Sequence, residues 1–259
     1  MSNSLYIGAT GMVAQQTQLD AIANNIANVN TPAYKADRVS FQTVFQAAQV
    51  DRAWASAGSD LQRTVGMGVA PLMLGKVFSA GELKKTDQAL DLALNGDGFV
   101  EVLMPDGSSA YTRSLSLQVN RDGLLATADG LPLHQSINIP TDATAITVDN
   151  TGRISVTVPD ESAPVELGQL ELARFINPAG LLPMGSNLYL PSEKAGEAIR
   201  GKPGDAGFGS LSQGYQEASN VKLVDQIVAL TITRQAFEMA ARVVQAADDM
   251  AGTVNNLRR

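Results

Sequence analysis

Apolar residues recur every seven positions at the start of the chain, at Leu5, Met12, Leu19 and Ile26, with Ile22 and Val29 filling in further along. The period fits a helix. Ser2 or Ser4 can cap it, and Asn30-Thr31-Pro32 ends it near Asn28, because Pro32 pushes Thr31 out of the α region. From Asn220 to Leu257 the pattern is denser. One stripe runs Leu223, Ile227, Leu230, Phe237, Ala241, Val244 and Ala251, with polar breaks at Arg234 and Asp248. A second runs Ala236, Ala240, Val243, Ala247, Met250, Val254 and Leu257. A lone amphipathic helix needs one stripe against one core, whereas two stripes require two sides to leave water. A helix of about 37 residues is about 55 Å long, more than a small domain covers. Each Leu or Ile left exposed forgoes about 1.5–3 kcal/mol. No other segment carries a helical period that would supply a bundle within the chain. The pattern therefore predicts terminal helices that pair with each other and with copies of themselves.

Between the helices the signals change to strand and turn. Val39, Phe41, Val44 and Phe45 form a mixed pattern that assigns no element, and Asp51 to Gly68 is small and polar, which reads as a linker or extended segment. Phe99 to Leu103 alternates, turns at Pro105-Asp106-Gly107 and returns through Ala110-Tyr111-Thr112. Further turns at Asp122-Gly123, Asp129-Gly130 and Asn150-Thr151-Gly152 frame strands expected at Leu124–Thr127, Ile137–Ile139, Ile146–Val148, Ile154–Val158 and Glu166–Phe175. Gly196 to Gly209 reads as a flexible loop. The expected fold class is α+β: long N- and C-terminal helices forming a coiled-coil layer, with an inserted antiparallel all-β domain of sandwich or barrel type. The expected divisions are an N-terminal helix and connection over 1–46, a linker over 47–68, the β-domain over 69–213, and a C-terminal helix over 214–259 that pairs with 1–30.

Composition narrows the function. A net charge of −7 over 259 residues, with no basic run beyond Lys84-Lys85 and Arg258-Arg259, argues against nucleic-acid and anionic-membrane surfaces. Cysteine is absent, which excludes disulfides and thiolate chemistry. The N-terminus has no cleavable secretory signal, and no apolar run approaches the roughly 18 residues that span a bilayer. His134, the only histidine, sits in a turn-rich stretch beside Leu131, Pro132 and Leu133, so it has no partners for a triad or metal site. Gly201-Lys202-Pro203 lacks the Ser or Thr of a P-loop. Asp87, Asp91 and Asp97 are explained by turn chemistry around Asn95-Gly96-Asp97-Gly98 rather than by acid–base work. Trp54 and the scattered aromatics form no stacking platform. The reading is non-enzymatic, with no cofactor and no metal.

One segment is far more specific. Asp20-Ala21-Ile22-Ala23-Asn24-Asn25-Ile26-Ala27-Asn28-Val29-Asn30-Thr31-Pro32-Ala33-Tyr34-Lys35 closely resembles the N-terminal signature of the axial proteins of the bacterial flagellum, the rod, hook and hook-associated proteins. Three more segments match in order. Gly81-Glu82-Leu83, Thr86 and Leu90 to Phe99 resemble the opening of that family's β-domain, and Ala110-Tyr111-Thr112-Arg113 its next strand. Gly214 to Val221, including Ser219, Asn220 and Val221, resembles its lead-in to the C-terminal helix. Length and segment order are closest to the distal-rod members, with proximal-rod members the nearest rivals. The sequence departs from the family at Ser114-Leu115, where a glycine is usual, and at Pro32-Ala33-Tyr34. The resemblance implies a subunit that polymerises helically into a rigid hollow shaft carrying torque from motor to hook. Its implied partners are further copies of itself, other rod proteins, the hook protein, the surrounding basal-body rings and the flagellar type III export apparatus. It implies a place in the basal body between periplasm and outer membrane. It also implies that the segment from about Ala47 to Gly66 stiffens the shaft. The readings to be distinguished from this one are a proximal-rod or hook-type subunit, or an oligomeric β-domain binding module.

Overall fold

The computed structural model describes residues 2–47, 64–159 and 163–257, which fall into two compact units. Trp54 and most of the 47–66 segment lie outside the described residues. The first unit holds helix α1 (Ser2–Ala27), strand β1 (Asp37–Ala47), strand β2 (Thr64–Lys76) as far as Leu74, and helix α2 (Leu223–Leu257). β1 and β2 pair as a two-stranded sheet. Val39 to Phe45, unassigned from sequence, is thus strand. Thr64 to Gly68, expected as linker, is strand as well, and the compact β unit begins at Gly75 rather than Val69.

The helices run antiparallel. Gly8 of α1 faces Val244 of α2, Gly11 faces Ala240, and Asn25 donates to Gln226 Oε1 at 3.3 Å, so numbering rises along one helix as it falls along the other. Glycine at position 8 is what lets the backbones close up, because a Cβ there would lie 2.6 Å from Val244 Cγ2. α1 ends at Ala27, one residue short of expectation, so Val29 falls in the turn beyond the helix. α2 begins at Leu223 with Asp225 in its first turn, where a carboxylate suits the positive end of the helix dipole.

The second unit, residues 28–36 and 75–221, is built from antiparallel strands. Its six-stranded sheet runs Leu182–Gly185, Leu188–Leu190, Ser109–Thr112, Phe99–Leu103, Leu172–Arg174, Ile199–Gly201. A four-stranded sheet runs Ser210–Gln213, Asp91–Asn95, Leu115–Val119, Leu125–Thr127, and a three-stranded sheet runs Val165–Gln169, Arg153–Thr157, Ala145–Val148. The period of two divides the six-stranded sheet cleanly. Val100, Val102, Ala110, Leu172 and Leu188 face a large aliphatic core shared with Leu92, Leu94, Leu117, Leu125 and Ile154. Phe99, Tyr111, Ala173 and Tyr189 face the other way, into an aromatic cluster with Phe175 and Leu181. Tyr111 and Phe175 meet edge to face at 4.8 Å.

Three strand expectations change. Glu166–Phe175 is two strands in two sheets, broken at Leu170-Glu171. Ile137 and Ile139 are buried but flank a single bridge, Leu124 to Asn138, and form no strand. The glycine-rich stretch 196–209 contains an ordered edge strand, Ile199–Gly201, paired with Leu172–Arg174. Leu115, where the sequence departs from its family pattern, opens the Leu115–Val119 strand opposite Leu92 and is fully packed in the aliphatic core. The departure is filled volume, not distortion.

Candidate functional site

Two features organise the sequence-predicted residues, one in each unit. In the helical unit α2 presents two apolar sides. The side against α1 consists of Gln226, Ala229, Leu230, Thr233, Ala236, Phe237, Ala240, Ala241, Val244, Ala247 and Ala251, all at least partly buried at spacings of three and four. About 120° around the helix, at 100° per residue, lies a second stripe. It comprises Val224, Val228, Ile232, Met239, Val243 and Met250, all more than half exposed within the subunit. The residues predicted for partner contact divide between these sides. Leu230, Phe237, Ala240, Val244 and Ala247 are in the seam, Val243 and Met250 on the outer stripe, and Leu223 and Ile227 exposed on the opposite flank. On α1, Ile22 is fully buried, while Leu5, Met12, Leu19 and Ile26 are half-buried. The side chains of Val254 and Leu257 lie outside those described.

The signature residues are fasteners. Asn25 is buried and brackets Asp37 at the start of β1: its Nδ2 donates to the Asp37 carbonyl at 3.1 Å, and its Oδ1 accepts the Asp37 N–H at 2.8 Å. Asn24 Nδ2 donates to the Asp37 carboxylate at 2.8 Å. In the β unit Thr31 donates to Asn28 Oδ1 at 3.2 Å, in the turn that contains Asn30, and Tyr34 is buried with the Lys76 ammonium 4.5 Å over its ring. Asn220 accepts the Ala36 N–H at 2.9 Å and donates to the Val77 carbonyl at 2.7 Å. Ser219 Oγ accepts the Val221 N–H, and Val221 is buried.

Sequence reading missed the centre of this fastening. Lys35, Arg113 and Glu217 meet with side-chain exposures of 0%, 2% and 1%. Lys35 Nζ lies 2.6 Å from Glu217 Oε1 and donates to the Ser79 carbonyl at 2.8 Å, and Arg113 Nε donates to Glu217 Oε2 at 3.1 Å. The Gly81 N–H donates to Glu217 Oε1 at 2.8 Å. Arg113 also donates to the carbonyls of Gly96 and Gly98. Gly96 holds a φ of 116°, and a Cβ there would lie 2.8 Å from Gly209, so this turn requires glycine. Burial pushes the Glu217 carboxyl up. The Arg113 and Lys35 charges, with the hydrogen bonds from Lys35 and Gly81, outweigh burial and hold the carboxyl below the usual range. Burial, then the Arg113 charge, pushes the Lys35 amine down against the pull of Glu217. All three residues lie in segments that the sequence singled out, but nothing in a linear pattern pairs them.

The other candidates are structural. Glu101 accepts from Arg200 at 2.9 and 3.0 Å and from Ser109 at 2.6 Å, with half-exposed His134 3.7 Å away. Asp91 accepts from Gln216, Asp87 pairs with Lys85 on the surface, and Lys202 begins a turn closed by Asp205. Among the described residues no cluster of three metal-ligating side chains occurs, and no helix is long and apolar enough to cross a membrane.

Comparison with known proteins accounts for these features together. Residues 5–35 match the model of the flagella basal body rod protein, residues 93–156 the flagellar hook protein FlgE/F/G D1 domain, and residues 212–257 the flagellar basal body rod FlgEFG protein C-terminal domain. The chain is similar to the flagellar basal-body rod protein FlgG of Borreliella burgdorferi, at 37% identity over the whole of both chains. It is 38% identical to FlgG of Caulobacter vibrioides, over 98% of this chain and 99% of that one. The basal-body rod protein FlgF of the same bacterium is 29% identical, over 94% and 93%.

Proposed function

The chain belongs to the flagellar basal-body rod FlgG family, and from that premise we propose that it is a distal-rod subunit, polymerising helically into a rigid hollow shaft that carries torque from motor to hook. The observation that carries this reading is the outer stripe of α2. A helix already paired along one side keeps a second apolar side, from Val224 to Met250, that its own unit does not cover. Repeated across copies, contacts between unlike surfaces build an open filament rather than a closed ring. Higher identity to a FlgG than to the FlgF of the same bacterium favours the distal over the proximal assignment. In that shaft the α1–α2 pair supplies coiled-coil contacts between copies. The neighbours are other copies, other rod proteins, the hook protein and the basal-body rings, between periplasm and outer membrane. The chain reaches them through the flagellar export apparatus. The role requires no catalysis and no cofactor.

Electron microscopy of the purified full-length chain over a concentration series tests this. Straight open tubes are expected. Discrete particles of fixed size at every concentration would instead favour a binding module on an oligomeric stalk.

A further inference from the structure

We propose that Lys35, Arg113 and Glu217 form an acid-labile lock: the Glu217 carboxylate holds the two chain segments that continue into α1 and α2 side by side on the β unit, and its protonation releases both while the sheets stay folded. The lock is a property of the single subunit, so its test does not depend on the polymer reading.

The geometry points to a lock rather than an incidental ion pair. Residues 33–36 continue back into α1, and residues 215–220 continue forward into α2. The two are laced together and to residues 77–82. Ala33 N–H donates to the Glu217 carbonyl at 2.7 Å, Asn220 N–H to the Tyr34 carbonyl at 3.3 Å, and Ala218 N–H to the Glu82 carbonyl at 2.8 Å. Lys35 and Asn220 also bridge these three segments, and Glu217 ties them to Arg113 of the sheet as well. Its carboxylate takes Lys35 from the first segment, Gly81 from the third, and Arg113 from the six-stranded sheet's Ala110–Arg113 end. One carboxylate thus balances two cations out of water. Removing its charge leaves two buried cations facing each other with no counter-ion, the costliest arrangement such a cluster has. The other charges nearby are Glu82, Lys84, Lys85 and Asp97, all exposed, Arg174, which lines a cavity with Arg113 and Asp97, Lys76 over the Tyr34 ring, and Asp91, which is bonded to Gln216. None can replace Glu217 at the centre.

The direction in pH follows. A carboxyl held below its free value contributes stability that is complete above that value and is lost as pH falls through the lowered one. The lock is therefore closed at neutral pH and opens below the ordinary carboxylate range. Lys35 works the other way. An amine held below the free lysine value costs stability while charged and ceases to cost it as pH rises. Loss of its proton leaves Arg113 and Glu217 matched one to one, so alkali does not open the lock.

The Gly81 N–H reports on the lock directly, through its bond to Glu217 Oε1. The Leu125 N–H, bonded to the Ile137 carbonyl in the aliphatic core at 2.9 Å, reports on the sheets. Amide hydrogen exchange is measured on the full chain from neutral pH to about pH 3, as protection relative to the free peptide. The expected result is that protection at Gly81, Ala33 and Ala36 falls by at least about tenfold per unit of lost pKa difference while Leu125 is unchanged. Glu217→Gln should leave Gly81 weakly protected at neutral pH and insensitive to acid. If that variant does not fold, Lys35→Met decides. It removes one of the two cations that keep the carboxyl ionised, so acid release should persist and move to higher pH. Loss of protection at Gly81 and Leu125 together, or protection at Gly81 indifferent to acid, overturns the proposal.

Discussion

The sharpest test of the outer stripe is Val243→Asp. In the subunit Val243 is 53% exposed, in the C-terminal half of the run from Val224 to Met250. Full burial of a valine is worth about 1.5–3 kcal/mol, so the half still exposed can contribute about 1 kcal/mol when a neighbouring copy covers it. An aspartate forfeits this and must also be dehydrated. Its neighbours at three and four residues' distance are Met239, Ala240, Ala246 and Ala247, so no basic partner is within reach along the helix. Burying an unpaired carboxylate costs several kcal/mol. A total of about 4 kcal/mol raises the concentration needed for polymerisation about a thousandfold. Val243→Ala loses only the apolar contribution, a shift of about fivefold. Valine and aspartate have similar helix propensities, and the site faces away from α1, so far-UV circular dichroism and melting of the unassembled subunit should match those of the original chain. The readout is the pelletable fraction as a function of concentration, with micrographs of the pellet. A Val243→Asp protein that polymerises at the original concentration refutes the stripe argument, because the outer side of α2 would then have no occupant. Ile22→Asp lacks this discrimination: Ile22 is buried in the subunit, and its loss would melt the helix pair before assembly could be judged.

Other consequences are local. Gly8→Leu should destabilise the helix pair by about 1–3 kcal/mol, because its Cβ alone meets Val244 Cγ2 at 2.6 Å. Gly11→Ala should stabilise it by about 0.5–1 kcal/mol, since the nearest atom to its new Cβ is 3.8 Å away and glycine is a poor helix former. Thermal melts of the helical signal separate the two, and equal effects would show that the backbones do not approach as described. Leu115→Ala should cost the β unit about 2–5 kcal/mol in chemical denaturation, as for any well-packed leucine. A cost under about 1 kcal/mol would mean that the residue is tolerated rather than packed. Asn25→Ala removes both bonds to the Asp37 backbone and should cost about 2 kcal/mol. Faster hydrogen exchange at the Asp37 amide, with the β unit unaffected, is the accompanying sign.

What could be read from the chain divides along a physical line. Periodic apolar patterns are local, and they placed both terminal helices and most hairpins of the β unit. The errors came where a polar residue does apolar work or an interaction joins distant segments. The two stripes drawn from hydrophobicity alone split the seam of α2 between them, because the seam passes through Gln226 and Thr233. Thr233 is nonetheless buried: its hydroxyl donates to the Ala229 carbonyl at 2.7 Å, so it presents only its methyl to α1. Gln226 is tolerated there because Asn25 answers it from the facing helix. Ile199–Gly201 was hidden by surrounding glycines, and it is fixed as a strand by pairing with Leu172–Arg174, which is remote in sequence.

The same division separates association from register. Small apolar side chains along α2 make close approach favourable at several offsets, since alanine against alanine looks much the same one turn along. A polar pair buried in such a seam is satisfied at one offset only. Asn25 with Gln226, backed by the Asn25 bracket on Asp37, supplies that selection at one end of the helix pair. Gly8 against Val244 supplies it sterically at the other. The asparagine-rich signature is therefore the part of α1 that specifies where α2 lies, while the apolar stripe specifies only that it lies somewhere along it. A shift of α2 by one turn would strand Asn25 opposite Leu223 or Leu230, neither of which offers its amide a side-chain acceptor.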